Sequence, residues 1–177
     1  MNTPAEWETI LKLIAPTGKP WIVMGFADGL GGLCARYQIN TPDRQAHFIA
    51  QVAHESDGFR TTVEYADGSA YEGRKDLGNI HKGDGRRFKG RGLIQLTGRA
   101  NYAAASKALG QDFVADPVVV GSFPAAADVS GWFWDSHALN RHADQDDVKA
   151  ITKAINGGFN GLDSRVAYLD SAKTALA

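Results

Sequence analysis

Apolar residues recur at helical spacing in several separate runs, and the residues between the runs are those that cap and stop helices. Thr3, Pro4 and Glu6 supply an N-cap, a first-turn proline and the third-position acid of a capping box. Trp7, Ile10, Leu11 and Ile14 follow at helical offsets until Pro16 and Gly18 end the run. The stretch from Trp21 to Ala35 is apolar but carries Gly25, Gly29, Gly31 and Gly32, which predicts a short or broken helix. Thr41-Pro42 repeats the cap-plus-proline signal and opens a helix running to about Glu55. Phe48, Val52 and Glu55 sit at offsets of four and three, so the acid falls on an apolar-flanked face in the last turn. Further helices are predicted from Thr97 to Leu109, stopped by Gly110, and from Pro124 to His137. Another runs from a cap at Asp146 or Asp147 through Val148, Ile151 and Ile155 to Gly157. The last carries Leu162, Val166, Leu169, Ala172 and Leu176.

Between residues 56 and 96 the pattern changes. Gly58, Gly68, Gly73, Gly78, Gly83, Gly85, Gly90 and Gly92 punctuate a polar stretch with only short extended pieces. Long irregular segments inside a domain are either functional or disordered, and Phe59, Tyr65, Tyr71, Leu77 and Phe88 argue for order. A small β-hairpin region forming a cleft wall is expected there. The predicted fold is therefore mainly α with a small β element, a single domain over residues 1–177 without repeats or an interdomain linker.

Composition removes several function classes. The chain is 44% hydrophobic and 22% charged, which places it among globular proteins. Its 19 bases and 20 acids sum to -1, so the overall charge gives no reason to expect nucleic acid as a partner. Cys34 is the single cysteine, which excludes an intrachain disulfide and a cysteine-based zinc site. The amino terminus does not read as a secretion signal and no apolar run is long enough for a membrane span, so export is expected to depend on another protein. Charge is uneven locally. Lys82, Arg86, Arg87, Lys89, Arg91, Arg99 and Lys107 face only Asp84 in one segment, while Asp112 to Asp147 is acidic. Two solvated faces, or a basic cleft wall for an anionic polymer, both fit.

Common catalytic motifs are missing. His54-Glu55 begins like a zinc-protease motif, but Gly58 stands where the second histidine is needed. No Gly-x-Ser-x-Gly elbow exists, and Gly90-Arg91-Gly92 lacks the ending of a phosphate loop. What remains is the pair Glu55 and Glu64. Glycoside hydrolysis needs one acid to protonate the leaving oxygen and a second carboxylate for water or the sugar carbon. Glu55 suits the first task, because helix C-terminal carbonyls and apolar neighbours both disfavour its ionisation. Glu64, in the glycine-punctuated stretch, suits a more hydrated base. Two glutamates nine apart also fit ordinary surface acids. In Lys89 to Tyr102, Gln95 and Thr97 alternate with Ile94 and Leu96 as in a strand with one polar face, and Asn101 lies four beyond Thr97. Such a row suits the N-acetyl and hydroxyl groups of a sugar chain; a capped helix start with buried amides fits as well.

Ala53-His54-Glu55-Ser56, Glu64, the run Gly90-Arg91-Gly92-Leu93-Ile94-Gln95-Leu96-Thr97-Gly98 with Asn101-Tyr102, and Ile155-Asn156-Gly157-Gly158 together resemble family-19 glycoside hydrolases. This plant-type chitinase family also includes many phage endolysins. The resemblance implies a lysozyme-like, two-lobed helical domain with the cleft between its lobes. It implies Glu55 as general acid, Glu64 as general base and Thr97 as the hydroxyl that helps hold the attacking water. It likewise implies substrate contacts from His54, Tyr71, Gln95, Asn101, Tyr102 and Asn156, with Arg165 supporting the carboxylate network. The implied reaction is inverting hydrolysis of β-1,4 bonds between amino sugars, with no metal or organic cofactor. The expected partner is peptidoglycan, with chitin as the alternative substrate and a non-enzymatic glycan-binding module as the third reading. A monomer without stable membrane insertion or a separate wall-binding module is expected. It would be made in the cytoplasm and admitted to the cell wall by a separate holin, in the manner of an endolysin.

Overall fold

The computed structural model describes residues 2–177. Its first helix, α1 (Pro4–Ile14), starts with the capping box its sequence predicts: Thr3 Oγ1 accepts from Glu6 N at 3.3 Å, and Glu6 Oε2 accepts from Thr3 N at 2.7 Å. The next stretch corrects the expectation of a broken helix. Helix α2 runs unbroken over Pro20–Arg36 and buries Ile22, Val23, Phe26, Ala27, Leu30 and Leu33. That burial outweighs a glycine penalty of about 0.5–1 kcal/mol per residue. Gly25 has a packing reason as well, since a Cβ there would lie 2.5 Å from the Phe123 ring, whereas Gly29 faces open space.

Helix α3 (Pro42–Glu55) is capped by Thr41, whose hydroxyl accepts from Arg44 N at 3.2 Å. Every residue from Ala46 to Ala53 is buried, so this is the central helix of the molecule. It ends sharply after Glu55. Asp57, Gly58 and Phe59 follow with φ of 54°, 65° and 59°, left-handed values that turn the chain away. For Phe59 this conformation is uncommon, and its fully buried ring, 5.8 Å from that of Phe26, holds it there. The C-terminal carboxylate of α3 is thereby left at the edge of the core.

The expected β-hairpin region is reduced to isolated bridges, Val63 to Arg91 and Arg91 to Leu96. Gly92, Gln95 and Gly98 all take positive φ, so the run from 91 to 96 closes as a tight turn and cannot extend into paired strands. Short 3-10 turns at Ser69–Tyr71 and Lys75–Leu77 and the single-turn helix α4 (Asp84–Arg87) fill the rest of the segment. Its bases act as staples. Lys89 Nζ donates to the carbonyls of Glu64 and Ala66, Arg99 pairs with Asp84, and Arg86 pairs with Asp67. Arg87 donates to the carbonyls of Val114 and Ala115, and Arg91 is buried. These five bases belong to the fold, which removes most of the proposed basic wall.

Helix α5 (Arg99–Leu109) begins two residues later than predicted and stops at Gly110; α6 (Ala125–Ser136) follows a 3-10 turn at Pro117–Gly121. The short helix α7 (Asn140–Ala143) carries no periodic signal and was not predicted. Asp147 caps α8 (Val148–Asn156) by accepting from Ala150 N at 2.9 Å. In α9 (Leu162–Leu176) the buried line is Arg165, Leu169 and Ala172, with Val166 exposed, so an arginine takes the inward place that the apolar pattern gave to valine.

Two apolar clusters result. The larger unites α1, α2, α3 and α9 with part of α6. The smaller gathers Phe88, Leu96, Tyr102, Ala105, Phe113, Val120, Ala125 and Val129. Helix α3 brings Glu55 from the first, while the turn 91–96 and α5 border the second, as a two-lobed helical fold requires. Replacing the glycines of α2 tests its continuity. Gly29→Ala should raise stability by about 0.5–1 kcal/mol, whereas Gly25→Ala, meeting Phe123, should lower it. Urea unfolding of the two variants measures both signs.

Candidate active site

Glu55 and Glu64 line one cleft of about 570 Å³. His54, Tyr71, Gln95, Thr97, Asn101 and Asn156 share its walls, so eight of the ten residues singled out in the sequence meet there. The other two stand behind it. Tyr102 is fully buried in the smaller core, with its hydroxyl donating to Lys89 O at 2.8 Å and accepting from Arg91 Nη1 at 3.1 Å. It therefore braces the turn that carries Gln95 and Thr97 and does not reach a ligand, which corrects its expected contact role. Arg165 is also fully buried and touches the cleft only through Glu55.

Each carboxylate has its own support. Arg165 Nη2 donates to Glu55 Oε1 at 2.5 Å, and the guanidinium is completely enclosed while the Glu55 side chain keeps 17% exposure. The buried cation thus offsets the unfavourable helix C-terminal position of the acid and holds it in one orientation. Arg165 Nη1 donates to Gln51 Oε1 behind it. Glu64 receives Tyr71 Oη–H on Oε1 at 2.8 Å and Gly90 N–H on Oε2 at 3.0 Å. Burial, then the bond to Glu64, pushes the Tyr71 hydroxyl up to about 12, so it remains a donor at neutral pH. Gly90 is needed at that approach, because an added Cβ would sit 2.9 Å from Gln95 Oε1 and 3.3 Å from Glu64 Oε2. The two acids share no donor.

The polar row from 95 to 101 survives without a strand. Gln95 adopts φ 56°, donates from Nε2 to Gly92 O at 3.0 Å, and projects beside Glu64. Thr97 Oγ1 donates to Gln95 O at 2.9 Å, which leaves its lone pairs free to accept. Asn101 Nδ2 donates to Thr97 O at 2.7 Å, which fixes the amide one turn into α5. Asn156 occupies the exposed C-terminus of α8. Arg74, Leu77, Gly90, Ile94, Leu96, Phe133 and Ile155 complete the lining. Phe133 falls within a predicted helix, Ile155 on a periodic apolar line and Arg74 where no periodicity exists, so only tertiary placement reveals them.

His54 packs against Gly161, whose φ of 73° and missing Cβ leave room for the ring, and its Nδ1 lies 3.0 Å from Ser164 Oγ. Burial and then the Arg165 charge hold this imidazole at about 4, down from 6.5, so it is neutral in the folded protein near pH 7. The unfolded chain binds that proton first. Stability should therefore fall as pH drops from 6.5 toward 4, and His54→Gln, which cannot titrate, should flatten the fall in a series of thermal melts.

Known proteins resemble this chain over the region that holds the cleft. The family model described as chitinase class I, Glyco_hydro_19, matches residues 23–153. A glycosyl hydrolase family 19 domain-containing protein of Haemophilus influenzae is 33% identical over 153 residues, covering 69% of this chain and 74% of that protein. An endochitinase of Arabidopsis thaliana is 35% identical over 136 residues, covering 72% of this chain and 47% of the plant protein. The chain thus spans about half the length of the plant relative. Among solved structures, chitinase C of Streptomyces griseus shares the fold with a TM-score of 0.77 at 23% identity, covering 99% of this chain and 94% of its own. With the matched segment holding Glu55, Glu64 and the whole 90–102 motif, the chain belongs to glycoside hydrolase family 19.

Proposed function

We propose that this cleft hydrolyses β-1,4 bonds between N-acetylated amino sugars with inversion at the sugar carbon. The observation that carries the reading is the presence of two carboxylates in one cleft, each oriented by separate donors. Glu55, protonated in the reacting complex, delivers that proton to the glycosidic oxygen as the bond to the leaving sugar breaks, and Arg165 then pairs with the carboxylate that forms. Glu64 takes a proton from a water that attacks the opposite face of the sugar, and Thr97 accepts a hydrogen bond from that water. Tyr71 and the Gly90 amide hold Glu64 in place, so little reorganisation accompanies proton transfer to it. Gln95, Asn101 and Asn156 present amides to hydroxyl and N-acetyl groups.

Peptidoglycan is the proposed polymer, and the support is Arg74. Arg74 lines the cleft, and its guanidinium is held by Asp76 through Nε at 2.8 Å and Nη2 at 2.5 Å, which leaves Nη1 without a hydrogen-bond partner among the described residues. A cation beside the scissile chain suits the carboxylates that peptidoglycan carries and chitin lacks. In this reading the chain acts as an endolysin on the cell wall, reaching it from the cytoplasm once a separate holin opens the membrane. Chitin is the second reading, favoured by the endochitinase among the relatives.

Purified sacculi and colloidal chitin, digested separately and analysed by mass spectrometry, distinguish the two. Release of muramyl fragments from sacculi is expected; release from chitin alone would replace the substrate. Arg74→Gln should raise KM on wall fragments by about tenfold while leaving chitin oligomers nearly unaffected. Glu55→Gln should abolish release from either polymer. It should also lower the thermal midpoint by a few degrees, because Arg165 keeps a hydrogen-bond acceptor but loses its counter-charge. Retained hydrolysis in that variant would remove Glu55 from the mechanism.

A further inference from the structure

Helix α3 is buried along its middle, yet that stretch carries two polar side chains, His47 and Gln51, both fully enclosed. With Glu55 they recur every fourth residue and so stack on one face of the helix. Among the described residues, the buried side-chain polar atoms without a partner include His47 Nδ1, Gln51 Nε2 and Arg165 Nε, all in this one region. A buried donor or acceptor left unpaired costs about 1–3 kcal/mol, so a cluster of them calls for a role.

The donor and acceptor sense of each group is fixed by its neighbour. Lys173 and then His47 keep the Asp146 carboxyl ionised, below its ordinary range, and a carboxylate only accepts. His47 Nε2, 2.8 Å from Asp146 Oδ1, must therefore carry the ring proton. Burial disfavours a second proton on this imidazole against the opposing pull of Asp146 and Asp43, which leaves Nδ1 as an acceptor. Arg165 only donates, so Gln51 must turn Oε1 toward it and present Nε2 as a donor. An unpaired acceptor at His47 and an unpaired donor at Gln51 thus lie one helical turn apart, with no hydrogen bond between them in the structure.

We propose that His47 and Gln51 are positioning residues, which complete a hydrogen-bonded line from Asp146 at the surface through Arg165 to Glu55 and so set the orientation of the catalytic acid. The line runs Asp146, His47, Gln51, Arg165, Glu55, and its one link not closed in the structure is that between His47 Nδ1 and Gln51 Nε2. Gln51 supplies an acceptor without charge. Glu55 therefore remains the only carboxylate ion-paired with the guanidinium among the described residues, and the neutral line behind it fixes where that guanidinium points.

The inference rests on the hydrolytic reading for its consequence, but its central link can be tested without a substrate. Nitrogen NMR of the His47 ring should show the Nδ1 resonance moving by several ppm in Gln51→Met; an unmoved resonance overturns the link. On whichever polymer the wild type cleaves, Gln51→Met should lower kcat about tenfold or more with KM within about twofold. At position 47 the conservative variant separates orientation from packing. Glutamine can still donate to Asp146 and accept from Gln51, whereas phenylalanine fills the space and does neither. His47→Gln should keep kcat within about threefold and His47→Phe should lose about tenfold. The reverse ranking, or equal kcat in all variants, overturns the positioning role, and the His47 pair decides the matter if Gln51→Met does not fold. A wild type that cleaves neither polymer defeats the hydrolytic reading instead, leaving the nitrogen shifts to judge the link.

Discussion

A guanidinium sealed between two helices and facing a half-open carboxylate is the constraint on which the rest of this structure depends. Burying a charge is expensive unless it is paired and hydrogen-bonded, and Arg165 meets that demand with Glu55 and Gln51. The pairing ties the start of α9 to the end of α3, so the helix that builds the core also fixes the position of the acid. Loss of either partner would leave the other without its counter-charge. The backbone around the pair conforms to it: Gly161 clears space for His54 beside Arg165, and three left-handed residues end α3 immediately beyond Glu55.

The second carboxylate is held by different means. Glu64 lies in a segment without regular structure, and its support comes from a phenolic hydroxyl, a backbone amide at a glycine and a lysine that binds its carbonyl. One acid is thus supported by a buried opposite charge and the other by neutral donors. The two carboxyl groups therefore stand in different electrostatic surroundings. The bases of the irregular segment, grouped in sequence like a binding surface, bind carbonyls and carboxylates of their own chain, and Lys89 among them holds the Glu64 carbonyl.

Much of this was legible in the sequence where local rules govern. The capping box at Thr3, the cap at Thr41 and the stop at Gly110 all appear where their residues predict, because caps depend on neighbours within one turn. The cleft residues on the 95–101 row were also legible, though for a different reason. Gln95 and Thr97 stay partly exposed between buried Ile94 and Leu96 in a tight turn, so alternation gave the correct exposure with the wrong conformation. Where distant contacts decide, the sequence misled. The glycines of α2 read as breaks because Phe123, a hundred positions on, was invisible beside Gly25. Tyr102 read as a sugar contact because its motif is rich in cleft residues, yet its phenyl ring completes the smaller core. Arg74 gave no signal, since nothing local distinguishes a surface arginine from one that lines a cleft.

The central claim is that Glu55 and Glu64 act on opposite faces of one sugar, with water as the nucleophile. Proton NMR of the first turnover products reads this directly, before the released sugars mutarotate. The account predicts the α-anomer at the newly formed reducing end. A β-anomer would mean retention, which would make Glu64 a nucleophile or remove it from the reaction, and would contradict the account.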